Sequence, residues 1–338
     1  MAPSAKRSRS IIIAMDAITT LDQLKVPAPA KINLFLSILG RREDGYHELQ
    51  TLFQLLDFGD NIILKRTLNG EIQVNPAIEG VPPQQNLAFR AAKLLQKRSQ
   101  TRFGAVIDIE KKLPIGGGLG GGSSDAASTL LGLNALWGTK LSLADLASIG
   151  LELGADVPVF IWGRSSLAEG IGERLYPVEL VENYYLVLKP AVEVSTAKIF
   201  ADPALTRNSP AIRIAAFFQQ ANIASEGGFT SDTGLQKKPE NMAQNAQIEH
   251  WLLTLGNDCE EAVRAGYPEV NAAINWLNQH AKAKLTGTGS CIYAKFDHRE
   301  EAERVLAESP LEGFVAKASN ISLAHLHLGE QLLDKSII

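Results

Sequence analysis

The sequence predicts an α+β protein built as two domains. Its length of 338 residues fits two domains. Strand-like and helix-like segments alternate irregularly along it, with no internal repeat, and the pattern restarts with a fresh strand near Tyr184. Hydrophobic residues make up 45% and charged residues 21%, as in ordinary globular chains. The net charge of −4 announces no basic surface, so nucleic acid is not expected as a partner. Cys259 and Cys291 form no CxxC pair and no metal-ligand spacing, and are expected as buried thiols in a reducing compartment. No run reaches the ~18 apolar residues of a spanning helix, so no membrane contact is expected and a cytoplasmic location is. Residues 1–21 read as a poorly ordered extension: Lys6-Arg-Ser-Arg9 precedes an apolar run, Ile11 to Ala14, too short for a signal peptide.

The elements follow in order. Lys31 to Ser37 is a strand apolar on both faces, entered in extended form through Pro27 and Pro29. Gly40 to Gly45 is a charged turn. Asn61 to Lys65 and Glu71 to Val74 form a hairpin about Asn69-Gly70. Leu87, Ala91, Leu94 and Leu95 recur at helical spacing up to Lys97. Ser142 and Asp145 open a second helix as a capping box, to end by Gly154 with Pro158 just beyond. Tyr185 to Leu188 is a strand, and Asp202-Pro203 a break. Gln219 to Gln247 is polar and holds few large apolar residues, so it reads as a disordered surface insertion. Val270 to His280 is a helix, Lys284-Leu285 and Ile292 to Phe296 are strands, Arg299 to Glu308 is a helix, and Phe314 to Lys317 is a last strand.

One segment carries chemistry by itself. Between the strand Val106 to Glu110 and the helical run from Asp125 lies Pro114-Ile115-Gly116-Gly117-Gly118-Leu119-Gly120-Gly121-Gly122-Ser123-Ser124, with six of the chain's 28 glycines. Without Cβ atoms the backbone N–H groups are open to an anion, and at a helix N-terminus they are unpaired in a positive field. Strand, glycine loop and helix start make an anion cradle, most often for nucleotide phosphate. No Gly-Lys-Ser/Thr follows, which excludes a Walker A loop. The match to G-x-G-x-x-G comes from glycine density alone, because no second strand ending in an acid follows. A mere flexible linker does not fit between a strand and a strong helix.

A second ingredient is a polar pair in apolar surroundings. Lys31 heads a strand, and Asp156 sits in Leu153-Gly-Ala-Asp-Val-Pro-Val159. Buried charges normally pair, and if these two meet, Lys31 would hold Asp156 ionised and aimed. Spacing alone leaves open the plainer reading, a surface lysine and an unrelated helix-end aspartate.

Five segments in order, Pro29 to Leu34, Arg42 to Thr51, the glycine loop, Gly154 to Pro158 and Leu285 to Gly289, resemble the galactokinase/homoserine kinase/mevalonate kinase/phosphomevalonate kinase (GHMP) superfamily. The glycine run before Ser123-Ser124 and the Asp44-Gly-Tyr-His47 segment resemble its branch acting on 4-diphosphocytidyl-2-C-methyl-D-erythritol. The resemblance spans about Val26 to Leu326 and implies a ribosomal-protein-S5-like domain over 22–176. It implies a ferredoxin-like domain over 177–330, carrying the insertion at about 219–247.

The resemblance also implies a reaction. ATP, working with Mg²⁺, would phosphorylate the C2 hydroxyl of the diphosphocytidyl substrate in the non-mevalonate route to isoprenoid precursors. Asp156 would accept the hydroxyl proton, and Lys31 would orient that hydroxyl and offset phosphoryl charge. Residues 114–124 would wrap the ATP phosphates, and Asn86 and Lys111 resemble contacts to the nucleotide base. Ser124 is the candidate metal ligand or near neighbour, with no metal carboxylate assignable. Tyr46 and His47 would recognise cytosine, Asn33 would lie near the methylerythritol diphosphate, and Thr196 and Phe200 would complete the pocket. Ala197 departs from the family pattern, which often has proline there. Thr286 to Ser290 resembles the superfamily's third motif, whose glycines would pack against the phosphate loop. A monomer or weak homodimer is expected. The rivals are a homoserine- or mevalonate-type kinase and a non-catalytic nucleotide sensor, and the presence of both Lys31 and Asp156 argues against the sensor.

Overall fold

A computed structural model of the chain describes residues 22–76, 82–212, 252 and 254–332. The expected extension over 1–21 and the insertion at about 219–247 lie outside the described residues. The α+β class holds: among the described residues ten strands join one sheet, with helices packed on it.

Two long strands organise the sheet. β1 (Gln23–Arg41) and β2 (His47–Thr67) run antiparallel from Gln23↔Lys65 to Arg41↔His47. Both are longer than expected because their buried residues continue up to the exposed charged turn, on either side of it. The register shifts between Pro29 and Lys31, where β2 carries extra residues. Gly59 lies opposite Pro29 there, and a Cβ on it would stand 2.1 Å from the carbonyl oxygen of Ala28. On its other edge β2 pairs in turn with β5 (Ser166–Gly170), β10 (Glu312–Ser319) and β4 (Gly104–Glu110). β6 (Arg174–Pro177) lies beside β5.

The expected hairpin is not formed. β3 (Ile72–Asn75) pairs in parallel with β4, and β4 lies between it and β2. The alternating apolar residues Ala105, Ile107 and Ile109 are all buried, whereas β3 buries only Ile72, so the stronger strand takes the inner place.

α1 (Leu87–Ser99) and α3 (Leu143–Leu151) form where helical spacing and the capping box put them; Ser142 and Asp145 exchange both hydrogen bonds of the box. α2 (Gly121–Trp137) buries residues on every side and is the central helix of the first half. It lies so close to the sheet that a Cβ on Gly132 would reach 2.4 Å from Leu64 Cδ1. α4 (Val157–Trp162) was not expected. Pro158, read as lying past a helix end, instead sits in the first turn of this new helix, where a missing N–H costs nothing.

In the second half, β7 (Tyr184–Lys189), β8 (Ala283–Leu285), β9 (Ile292–Phe296) and β10 are ordered β10-β7-β9-β8 and all pair antiparallel. Helices α6 (Glu260–Gly266) and α7 (Pro268–Leu277) precede β8, and α8 (Arg299–Glu308) precedes β10. That is the split βαβ arrangement of ferredoxin-like folds. A short helix, α5 (Thr196–Ala201), follows β7. α9 (Leu323–Leu332), also unexpected, returns to the first half, where Ala324 and Leu328 join the core formed by α1, α2 and α4. A middle core joins the halves through Leu34, Leu113, Leu119, Tyr185, Cys291 and Tyr293.

Candidate active site

The glycine loop leaves β4 and turns into α2 with positive φ at Gly116, Gly118 and Gly120. Gly118 is required on two grounds. Its φ is +76°, and a Cβ there would stand 2.2 Å from the carbonyl oxygen of Thr286. The segment Thr286 to Ser290 is the β8–β9 hairpin turn, and it also floors the cradle. Cys291 N–H donates to Gly117 O at 3.2 Å, and Thr286 Oγ1 to Gly118 O at 3.3 Å.

Lys31 faces this loop from β1. Its backbone N–H donates to Leu119 O at 3.0 Å, off the free edge of the strand. Its ammonium donates to Asn33 Oδ1 at 2.8 Å and Gly118 O at 3.1 Å, and stands 3.3 Å from Asp156 Oδ2. Two hydrogen bonds and one ion pair thus hold the ammonium, in a side chain only 3% exposed, with the Phe53 ring beneath at 5.2 Å. Asp156 is the N-cap residue of α4, yet its side chain makes no capping bond and stays 36% exposed, free for the lysine and the cavity.

A cavity of about 570 Å³ opens at this pair. Its wall brings together Lys31, Asn33, Tyr46, His47, Gly118, Gly120, Ser123, Asp156, Thr196 and Phe200. Ala197, the departure from the family pattern, lies in the same wall. Tyr46 is 60% exposed at the rim. The rings of His47 and Phe200 stand 4.9 Å apart. His47 Nε2 is buried without a partner among the described residues. Burial pushes the imidazole pKa below its ordinary value, and the charges of Arg207 and Arg41 push it further. Thr196 Oγ1 lies 2.8 Å from Thr288 Oγ1. The Asn33 amide also donates to Thr51 Oγ1 at 2.8 Å, so much of its bonding capacity serves to hold Lys31.

Other residues singled out in the sequence lie off this wall: Pro114, Ile115, Gly116, Gly117, Leu119, Gly121, Gly122 and Ser124 are absent from it. Ser124 is fully buried, its hydroxyl without a partner among the described residues, while its neighbour Ser123 reaches the cavity. Asn86 is the N-cap of α1, accepting from Ala88 and Phe89 N–H. Lys111 is held by Asp60 and Asp125 at 2.5 and 2.9 Å.

Residues that sequence reasoning missed include Phe53 and Arg41 on the wall, and Arg207 behind it, while Thr288 on the wall belongs to the Thr286 to Ser290 motif already singled out. Arg207 donates to the carbonyls of Phe200 and Asp202 at 2.9 and 3.0 Å and so ties down the end of α5. A lone arginine after the Asp202-Pro203 break was its only signal.

The donors present bear on how Mg²⁺ would be held. Among the described residues no cluster of three His, Cys, Asp or Glu side chains could cage a metal. The wall offers one carboxylate, Asp156, and the Ser123 hydroxyl. That set fits a cation carried in on phosphate oxygens and waters, as Mg²⁺ commonly is.

The order of strands and the glycine cradle at a helix start define a GHMP-type phosphotransferase. The family model described as "GHMP kinases N terminal domain" matches residues 86–164, and "GHMP kinases C terminal" matches 235–309. A 4-diphosphocytidyl-2-C-methyl-D-erythritol kinase from Ectopseudomonas mendocina (strain ymp) is 48% identical over 90% of this chain and 94% of its own. The crystal structure of a 4-(cytidine 5'-diphospho)-2C-methyl-D-erythritol kinase matches with a TM-score of 0.68 at 29% identity, over 88% of this chain and 99% of that one. A homoserine kinase from Cytophaga hutchinsonii shares the fold, with a TM-score of 0.60 at 16% identity over 90% and 96%. The chain belongs to the 4-diphosphocytidyl-2-C-methyl-D-erythritol kinase family.

Proposed function

We propose that the protein transfers the γ-phosphoryl group of ATP to the C2 hydroxyl of 4-diphosphocytidyl-2-C-methyl-D-erythritol. The observation that carries this reading is the Lys31–Asp156 pair at 3.3 Å, beside the glycine cradle and in one cavity with Tyr46, His47 and Phe200. The acceptor is a crowded tertiary alcohol. Its transfer needs alignment and charge neutralisation more than covalent help. The hydroxyl oxygen forms a bond to the γ-phosphorus, the bond from that phosphorus to the β,γ-bridging oxygen breaks, and ADP leaves. Asp156 accepts the hydroxyl proton. Lys31, locked by Asn33 and Gly118 O, keeps the carboxylate aimed and stabilises charge on the moving group. Ser123 and Asp156 are the groups on the wall that would approach a Mg²⁺ ion brought in with the nucleotide, which would supply further charge neutralisation.

Residues 114–124 cradle the phosphates, with Asn86 near the nucleotide base. The unpartnered His47 Nε2 bonds the cytosine while Tyr46 and Phe200 pack on its faces. Thr196 holds the same wall through Thr288. A division near residues 176/177 is supported by separate cores on either side of the middle one. A cytoplasmic monomer or weak homodimer accompanies this reading; among the described residues no helix is long and apolar enough to cross a membrane.

One assay tests the function. ATP turnover is measured with the diphosphocytidyl substrate, homoserine and mevalonate. Turnover with the first alone is expected. Turnover only with one of the others would transfer the chain to those kinases, and ATP binding with no turnover on any would make it a sensor.

A further inference from the structure

A run of glycine pays a large entropic cost to be held in one shape, so a cradle that meets its ligand ready-made must be pinned at both ends. Asp60, fully buried after Gly59 in β2, pins the entrance. Its Oδ1 accepts from the N–H groups of Lys112 and Leu113 at 2.5 and 2.8 Å, the two residues that precede Pro114. Its Oδ2 accepts from Lys111 Nζ at 2.5 Å. The same ammonium donates to Asp125 Oδ2 at 2.9 Å, and Asp125, next to Ser124, is the fifth residue of α2, just past its first turn. The ammonium lies under the exit of the loop: a Cβ on Gly121 would be 3.6 Å from it.

We propose that Asp60, Lys111 and Asp125 form a strap joining the two ends of the phosphate loop, which makes Lys111 a positioning residue for the nucleotide phosphates. The inference rests on the ATP-kinase reading and deepens it. Two of the three ammonium donors are spent on carboxylates, and the lysine side chain is 23% exposed. Asp125 Oδ1 is buried with no partner among the described residues. One ammonium between two carboxylates leaves an excess negative charge. Burial and the nearby Asp60 push Asp125 up to about 7 against the pull of Lys111. The ammonium itself is kept charged by both partners.

The test compares Lys111→Met, Asp125→Leu and Asp125→Asn in the full chain. Calorimetry measures binding of the Mg²⁺ complexes of ATP, inosine triphosphate and inorganic tripolyphosphate, with no acceptor present. The strap predicts that Lys111→Met and Asp125→Leu weaken all three by a similar factor, about tenfold or more, because the damage is to the cradle. The affinity for the diphosphocytidyl substrate should stay within about threefold in both. Asp125→Asn, whose amide oxygen still accepts from Lys111, should recover most of the loss. A loss confined to ATP, with tripolyphosphate unchanged, would make Lys111 a contact to the base and overturn the proposal. So would a folded Lys111→Met protein that binds all three like the parent. If Lys111→Met does not fold, Lys111→Gln, which keeps polar donors near the carboxylates but no charge, takes its place with the same criteria. Nucleotide binding is read without turnover, so failure of the kinase reading would show separately, as intact binding with no phosphorylated acceptor.

Discussion

Lys31 and Asp156 are an asymmetric pair: the ammonium is 3% exposed and the carboxylate 36%, at 3.3 Å. The cation is built into the protein and the carboxylate is presented to the cavity. Asp156→Asn keeps the shape and loses the proton acceptor. Turnover should fall by ~10²–10⁴-fold while ATP affinity holds. Steady-state kinetics with a separate ATP titration check this, and a mutant within about threefold of the parent would remove Asp156 from the role.

His47 sets a pH dependence for the acceptor. Its pKa lies below the ordinary imidazole value, so the ring is neutral at pH 7. Acidification through that depressed pKa charges the ring beside Arg41 and Arg207. The KM for the diphosphocytidyl substrate should therefore rise on the acid side while the KM for ATP stays level. In His47→Ala the acceptor KM should be high at every pH and this acid rise absent. An unchanged pH profile in the variant would place the titrating group elsewhere.

Arg207 reaches no substrate in this reading, but it binds the end of α5 that carries Phe200. Arg207→Met frees those carbonyls and the ring with them. The expected result is a rise of about tenfold in acceptor KM, with little change in kcat or in ATP affinity. Equal losses for both substrates would point to general damage instead.

His325 governs the acid limb of stability. It is 3% exposed on α9, against Gly163, where a Cβ would come within 2.2 Å of Nδ1. Burial pushes its pKa down to about 4, with Arg164 adding to the shift and the Ile161 carbonyl opposing it. Above the unfolded value of about 6.5 both states are neutral and its contribution is complete. As pH falls from there toward 4 the unfolded chain takes up the proton first. Stability is then lost by roughly 1.4 kcal/mol per unit, reaching about 3 kcal/mol. His325→Leu should flatten the fall in Tm between pH 7 and pH 5; an identical slope would exonerate this residue.

Much of the site could be read from residue order, and the limits have physical causes. The glycine loop was legible because its chemistry is local: strand, cradle and helix start are contiguous. Lys31 and Asp156 were legible as an isolated charge in each of two apolar segments, but their meeting depends on tertiary packing, and only the resemblance joined them. The helix Val157–Trp162 was hidden because a proline near a helix end reads as a stop as readily as a start. The hairpin about Asn69-Gly70 failed because a turn signal says nothing of a later strand, here Gly104–Glu110, that wedges between the two arms. Arg207 and Asp60 act on backbone groups, and such partners leave no pattern in side-chain order.

The return of the last helix to the first core bears on how the chain is made. A ribosome releases the glycine cradle long before it releases Ala324 and Leu328, which complete the packing beside α4, or β10, which zips onto β2. The floor under Gly118, supplied by Thr286, also emerges late. The nascent first half therefore waits with an unfinished interior and an unsupported phosphate site. Nucleotide can assist folding only once nearly the whole chain has been synthesised.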